Sequence, residues 1–274
     1  MKPATEQDYR ERVVRAVLYI QQHLDDELSL DRIAAITRFP DFIFTASFTV
    51  WTGETLNEYV RRLRLERAAG QLKYLDQPIT DIALRAGFDA HESFTRAFGD
   101  MFGMSPSAYR AASLPMLDHG NLLTVEVKEH TPLTLVMLRH TGPYNRIAGT
   151  WDKLMSWAAQ RGVLGVDAEL VGIAHDDPDI THPDRIRYDA AVVVREPVRV
   201  GGEFSRMELA GGLYATTHRG PYSELPSTYQ RLYGGCLPRS GFEPREVYTF
   251  EEYLNSPQDR RPEDLITRIH LPTE

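Results

Sequence analysis

The chain is poor in thiols. Cys236 is the one cysteine in 274 residues, which excludes an internal disulfide and a cysteine-based metal cluster. It also lacks any run of the ~18 apolar residues that a membrane-crossing helix requires. Its first residues, Met1-Lys2-Pro3-Ala4-Thr5-Glu6, form no apolar signal core. A cytoplasmic protein with no membrane contact is expected. A basic surplus is missing too, because 31 Lys and Arg face 39 Asp and Glu, for a net charge of −8. Residues 1–112 carry 14 basic against 16 acidic residues, and the remainder 17 against 23. Neutralising phosphates supplies much of the affinity of most DNA-binding domains. Any DNA contact here must therefore rest on local clusters.

The first 112 residues read as helices. Val13, Val14, Val17, Leu18, Ile20 and Leu24 recur at helical spacing over 8–24. Two stretches, 29–53 and 80–106, each predict a helix-turn-helix. Ser29 suits an N-cap, Asp41 caps a second helix that places Phe44, Phe48 and Trp51 on one face, and Gly53 ends it. In the second stretch Thr80 caps, Gly87 supplies a left-handed turn, Phe94, Ala97, Phe98 and Phe102 face inward, and Gly103 closes. A helix over 57–74 joins the two. Residues 113–121, with Leu114-Pro115 and His119-Gly120-Asn121, read as a linker.

Beyond 122, strands dominate: 123–129, 133–140, 190–195, 204–209, 213–219 and 248–254, with helices at 148–161 and 225–237. Arg139-His140-Thr141-Gly142-Pro143-Tyr144 recurs as Thr217-His218-Arg219-Gly220-Pro221-Tyr222, with Gly142 and Gly220 78 residues apart. A long-period repeat of this kind predicts a pseudo-twofold α+β domain. The His175-Asp176-Asp177 segment, with Asp179 and His182, has no regular ligand spacing and reads as an exposed connection. No metal or cofactor is expected.

Residues 8–112 resemble the AraC/XylS family of transcription regulators. The carriers are Ser29-Leu30-Asp31-Arg32-Ile33-Ala34, Thr52-Gly53-Glu54-Thr55, the Arg61-to-Ala68 segment, and Ile79 through Arg110 with its Asp-Ile-Ala, Gly-Phe, Phe-Thr-Arg-x-Phe and Gly-x-Ser-Pro elements. Residues 122–274 resemble the GyrI-like effector-binding domain, also found in Rob-type and some MerR-family regulators. There the carriers are both Gly-Pro-Tyr segments, Phe250 to Pro257, and Asp264 to Ile269. The fold implied is multidomain, an all-α tandem helix-turn-helix domain followed by an α+β pseudo-twofold GyrI-like domain. The function implied is a ligand-responsive transcriptional regulator acting on double-stranded DNA, with RNA polymerase as a further partner.

A recognition helix reads base edges with a few outward side chains. In the second module these are His91, Glu92, Ser93, Thr95 and Arg96. The first module departs from the family pattern, because 41–50 hold no basic residue. Ala46 and Thr49 stand where an exposed Arg and Lys are usual, and Ser47 stands at a usual core position. Phe42, Ile43 and Val50 are then candidates for exposure, and contact falls to Thr45 and Thr49, to thymine methyls or phosphate. Arg61 and Arg62, with Arg64, read either as phosphate contacts or as a helix face salt-bridged to Glu58 or Glu66.

In the second half, Tyr144, Trp151, Tyr188, Tyr214, Tyr222 and Tyr253 are candidates to line an aromatic pocket for a flat or cationic molecule. Strand alternation puts Glu251 beside Tyr253 and Glu252 opposite, and the resemblance places Glu251 at the family's acidic position. Two alternatives stand beside a regulator: hydrolysis of reactive electrophiles by Glu251 with a Tyr, and a drug- or protein-sequestering module with weak DNA binding. Fusion to tandem DNA-binding modules argues against turnover, so no catalytic residue is assigned.

Overall fold

The structure, a computed structural model, describes residues 3–113, 123–165, 168–243, 245 and 248–274. It divides into two compact units. The first is built from α1 (Pro3–Gln22), α2 (Leu30–Thr37), α3 (Asp41–Thr52), α4 (Leu56–Tyr74), α5 (Ile79–Arg85), α6 (His91–Phe102) and α7 (Pro106–Ser113). The expected linker at 113–121 lies outside the described residues except for Ser113, which closes α7.

Two local stops shape each module. The Ser29 side chain accepts from the Arg32 N–H and starts α2. α2 and α3 then meet at 87°, close to the lower end of the range of helix-turn-helix pairs, about 90–120°. α3 begins after Pro40 rather than on an Asp41 cap, and α5 begins after Pro78 rather than on Thr80. In both cases proline itself stands at the N-cap, with φ fixed at −59° and −56° and ψ extended, and its successor is the first helical residue. Gly53 and Gly103 close α3 and α6 in the left-handed conformation, at φ 75° and 74°. α3 buries Phe44 and Phe48 completely, and Phe48 meets Tyr59 of α4 edge-on at 5.4 Å. α6 buries Phe94 and Phe98, and Phe98 meets Tyr109 of α7 at 5.4 Å. α4 starts on a Thr55–Glu58 capping box. Its Arg64 donates to the carbonyls of Leu24 and Asp26, each at 2.8 Å, and lies against Gly87 of the second module.

The second unit is one antiparallel sheet of β1 (Glu126–His130), β2 (Leu133–Thr141), β3 (Leu170–Ala174), β4 (Arg187–Val193), β5 (Phe204–Leu209), β6 (Gly212–Arg219), β7 (Phe250–Tyr253) and β8 (Thr267–Pro272), in the order β1-β6-β8-β7-β3-β4-β2-β5. Exchanging β1–β4 with β5–β8 reverses this order onto itself, so a twofold runs through the β3–β7 pair. Each repeat is strand, strand, Gly-Pro-Tyr corner, helix, strand, strand. Pro143 (φ −61°, ψ 141°) and Pro221 (φ −56°, ψ 144°) take the same conformation, and each leads into a short 3₁₀ turn. The helices are α8 (Ala148–Gln160) in the first repeat and α9 (Leu225–Arg231) in the second. A π-helical turn, Leu232–Cys236, then runs into α10 (Leu237–Ser240), where the sequence predicted one helix to 237.

Register fixes the two faces. Leu154, Trp157 and Ala158 of α8 pack on Val136, Tyr188, Ala190 and Val192. Leu232 and Leu237 pack on Ala215, Ile269 and Leu271. Phe250, His270, Tyr214 and His130 pack together on the other face. The 175–182 connection is not simply exposed. His175 Nε2 lies 2.7 Å from buried Asp189, which Arg139 also grips, and Asp176 is paired to Arg187. Burial alone would raise the Asp189 carboxyl, but Arg139 and His175 outweigh it and hold it well below its ordinary value.

Candidate functional site

α3 and α6 occupy the same place in their modules and are both twelve residues long. Phe44 and Phe48 stand where Phe94 and Phe98 stand fifty residues later, so the outward faces compare position by position. On α6, His91, Glu92, Ser93 and Arg96 are exposed and Thr95 is half-buried. The Ser93 hydroxyl donates to the Ala90 carbonyl at 2.7 Å, and Thr95 Oγ1 lies 3.4 Å from His91 Nε2. The Arg96 guanidinium is exposed, at a length suited to guanine or phosphate. On α3, Thr45 is exposed with its hydroxyl returned to the Asp41 carbonyl, and Thr49 is half-buried. Phe42 is 74% and Val50 80% exposed, while Ile43 packs partly against the core.

The arginines of α4 separate. Arg61 is exposed. Arg62 is not a phosphate contact, because its side chain is 10% exposed and held between Glu54 at 2.7 Å and Glu66 at 3.0 Å. Arg64 is committed to backbone carbonyls. Of the two readings of this run, Arg62 and Arg64 follow the structural one.

In the second unit, Glu251 is 3% exposed and lies on the helix-covered face. Tyr229 of α9 donates to its Oε1 at 3.0 Å, and Tyr253 donates to its Oε2. Tyr188 and Tyr253 hydroxyls are 2.8 Å apart. Trp151 of α8 and Tyr222 of the second corner each meet Tyr253 edge-on, at 5.5 and 5.4 Å. Tyr144 meets Tyr188 at 6.1 Å and donates its hydroxyl to the Asp176 carbonyl. Gly172 pairs directly across from Glu251, and a Cβ there would collide with the hydroxyls of Tyr188 and Tyr253. Small size at this position leaves room for the Tyr188 and Tyr253 hydroxyls to meet beside the carboxylate.

Burial raises the Glu251 carboxyl, against the pull of the Tyr253 and Tyr229 hydrogen bonds. Burial, and then the Glu251 charge, raise Tyr188, Tyr229 and Tyr253 well above the ordinary phenol value and push Tyr222 up to about 12. The phenols therefore stay protonated and act as donors. Among the described residues no Lys, Arg or His hydrogen-bonds or ion-pairs with Glu251.

Tyr214 does not join this group. It is fully buried on the opposite face with Phe250 and His270, and its hydroxyl goes to the Ala210 carbonyl. Neighbouring residues on a strand alternate between faces, so its odd position relative to Ala215 decides this. Tyr229 and Gly172 were missed in the sequence. The lone glycine in the apolar run Leu170-Val171-Gly172-Ile173-Ala174 was the available signal for a close approach.

Residues 123–274 match the GyrI-like small molecule binding domain. The chain belongs to that family. Residues 33–112 match a helix-turn-helix domain. The chain is 26% identical over 260 residues to the transcriptional regulator Rob of Salmonella typhimurium, covering 88% of this chain and 89% of that protein. It is 26% identical over 264 residues to the right origin-binding protein of Escherichia coli K12, covering 86% and 88%. Over 94 residues it is 33% identical to the regulatory protein SoxS of the same strain, covering 34% of this chain and 88% of that protein. This GyrI-like chain is a DNA-binding transcriptional regulator, with its helix-turn-helix half first and its small-molecule-binding half second. No single helix among the described residues is long and apolar enough to cross a membrane.

Proposed function

We propose that an organic cation or flat aromatic molecule seats against Trp151, Tyr222 and Tyr253 over Glu251, with Tyr144 and Tyr188 backing the rings, and thereby changes how the helix-turn-helix half engages promoter DNA. The observation that carries this reading is a buried carboxylate with aromatic rings above it and, among the described residues, no basic side chain bound to it. Such a carboxylate is costly when ionised alone. A bound cation removes that cost, and each ring face adds roughly 0.5–2 kcal/mol. Regulation requires the ligand to favour one DNA-binding state over another. On DNA, the outward residues of α6, Arg96 first, together with Arg61 and the threonines of α3, make the contacts. The protein works in the cytoplasm, and RNA polymerase is the partner through which promoter binding takes effect. The regulators that match nearly the whole chain support sensing over turnover.

The test pairs a cationic acridine dye with an uncharged aromatic of equal ring count. Glu251→Gln is expected to weaken the cation about tenfold and leave the neutral compound within about twofold, read by titration. Equal losses overturn the charge pairing. The pH dependence has a definite sign. From the ordinary carboxylate range, about 4.3, up to the raised value of Glu251, the folded chain holds a proton that the unfolded chain has released. Unliganded stability therefore falls as pH rises through that window, cation affinity rises through it, and Glu251→Gln flattens both curves.

A further inference from the structure

The outward positions of α3 and α6 differ in one consistent way. At three places one turn apart, α6 presents Glu92, Arg96 and Asp100 to solvent. The matching places on α3 hold Phe42, Ala46 and Val50, all exposed. Thr45 and Thr49 fall between them, so Phe42, Thr45, Ala46, Thr49 and Val50 follow the i, i+3, i+4, i+7, i+8 pattern of a single helix stripe. The opposite side of α3 is fully used, because Phe44 and Phe48 are in the core. No residue of α3 is basic. Every charged outward position of α6 thus has an apolar counterpart, on a helix whose place in its module is that of a reading helix.

We propose that α3 reads thymine methyl groups in the major groove, with Phe42, Ala46 and Val50 as the specificity-determining contacts, so that one half-site is chosen without an ionic contribution from this helix. This rests on DNA binding by the tandem modules. Alanine, threonine methyl and phenylalanine are side chains that pack on the thymine C5-methyl, the one apolar feature of the major groove. Base edges are the favoured occupant over a protein partner, because α3 holds in its module the place that α6, with its exposed polar and charged face, holds in the other.

The full-length protein is used to select duplexes from a randomised pool. In the tightest duplex each thymidine is then replaced singly by deoxyuridine, which removes the methyl and keeps the hydrogen-bonding edges. The expected result is a cluster of replacements in one half-site that each weaken binding about three- to tenfold, the scale of one buried methyl. The penalty is expected to shrink in Phe42→Asn/Val50→Asn, which puts a methyl-free polar side chain at two of the three contacts and leaves Ala46 in place. Both side chains are exposed, and an unchanged melting curve shows that the variant folds. Binding with no uracil penalty anywhere overturns the proposal and leaves DNA binding intact. Failure to select any duplex overturns both. A penalty that persists undiminished in the double variant overturns it, as does a variant that keeps full DNA affinity yet loses transcription with RNA polymerase, which would make the stripe a protein contact.

Discussion

The two helix-turn-helix modules share a skeleton and differ in where they keep their charge. Each has a buried Phe pair one turn apart, a twelve-residue second helix and a left-handed closing glycine. In the second module charge is on the outward face of α6. In the first it has moved inward, to Arg62 between Glu54 and Glu66 where α3 hands over to α4. The skeleton is set by sterics and burial, which tolerate little change. The outward face is free to vary, so a duplicated motif can hold one fold and two chemistries.

The strongest way to break this contrast is at Arg62. Arg62→Ala removes the guanidinium between two buried carboxylates and is expected to cost about 3–5 kcal/mol of stability, measured by chemical denaturation. A cost under about 1 kcal/mol would mean that the ion pairs are incidental. Arg96→Ala tests the other module: a loss of roughly 1–3 kcal/mol, about 5- to 150-fold in affinity, is expected with no change in melting. Unchanged binding in a gel-shift titration would remove α6 from the reading. Ala46→Arg puts on α3 what α6 has at the matching place. It is expected to steepen the dependence of log affinity on log salt by about 1, and an unaltered slope would show that α3 stays clear of the phosphates.

The smallest effects concern the turns. Arg38 adopts φ 56° where the second module has Gly87 at φ 80°. A non-glycine residue there costs roughly 1–2 kcal/mol, offset in part by the greater entropy of glycine in the unfolded chain. Arg38→Gly is therefore expected to raise stability by up to about 1 kcal/mol. Gly87→Ala is expected to lower it by more, since its Cβ would also stand 2.5 Å from the Arg64 guanidinium.

Much of the first unit was legible because its constraints are local. A positive φ calls for Gly53, Gly87 and Gly103, and helical spacing singles out Phe44, Phe48, Phe94 and Phe98. Of the two partners of Arg62, Glu66 was readable from helical spacing, and Glu54 was not, because it lies across a turn. In the second unit the Gly-Pro-Tyr repeat and the nearness of Glu251 to Tyr253 were readable. β3 and β8 were not. β3 is a five-residue apolar run with a glycine, and β8 carries Arg268, His270 and Pro272. Without them the register that sends Tyr214 to the far face had no anchor. His175 and Asp176 looked exposed for a related reason. Their partners, Asp189 and Arg187, sit at the start of β4, which the sequence placed at 190.

The outermost strands of the sheet carry a consequence for its ancestry. β1 runs straight into β2 but bonds to β6, and β5 runs into β6 but bonds to β2. Each half thus lends its leading strand to the other. A solitary half would be left with an unsatisfied border, which a second copy could fill by donating the same strand. The geometry is that of an exchanged homodimer whose subunits have been stitched into one polypeptide, and it means that neither half can be trimmed away to leave a self-sufficient receptor.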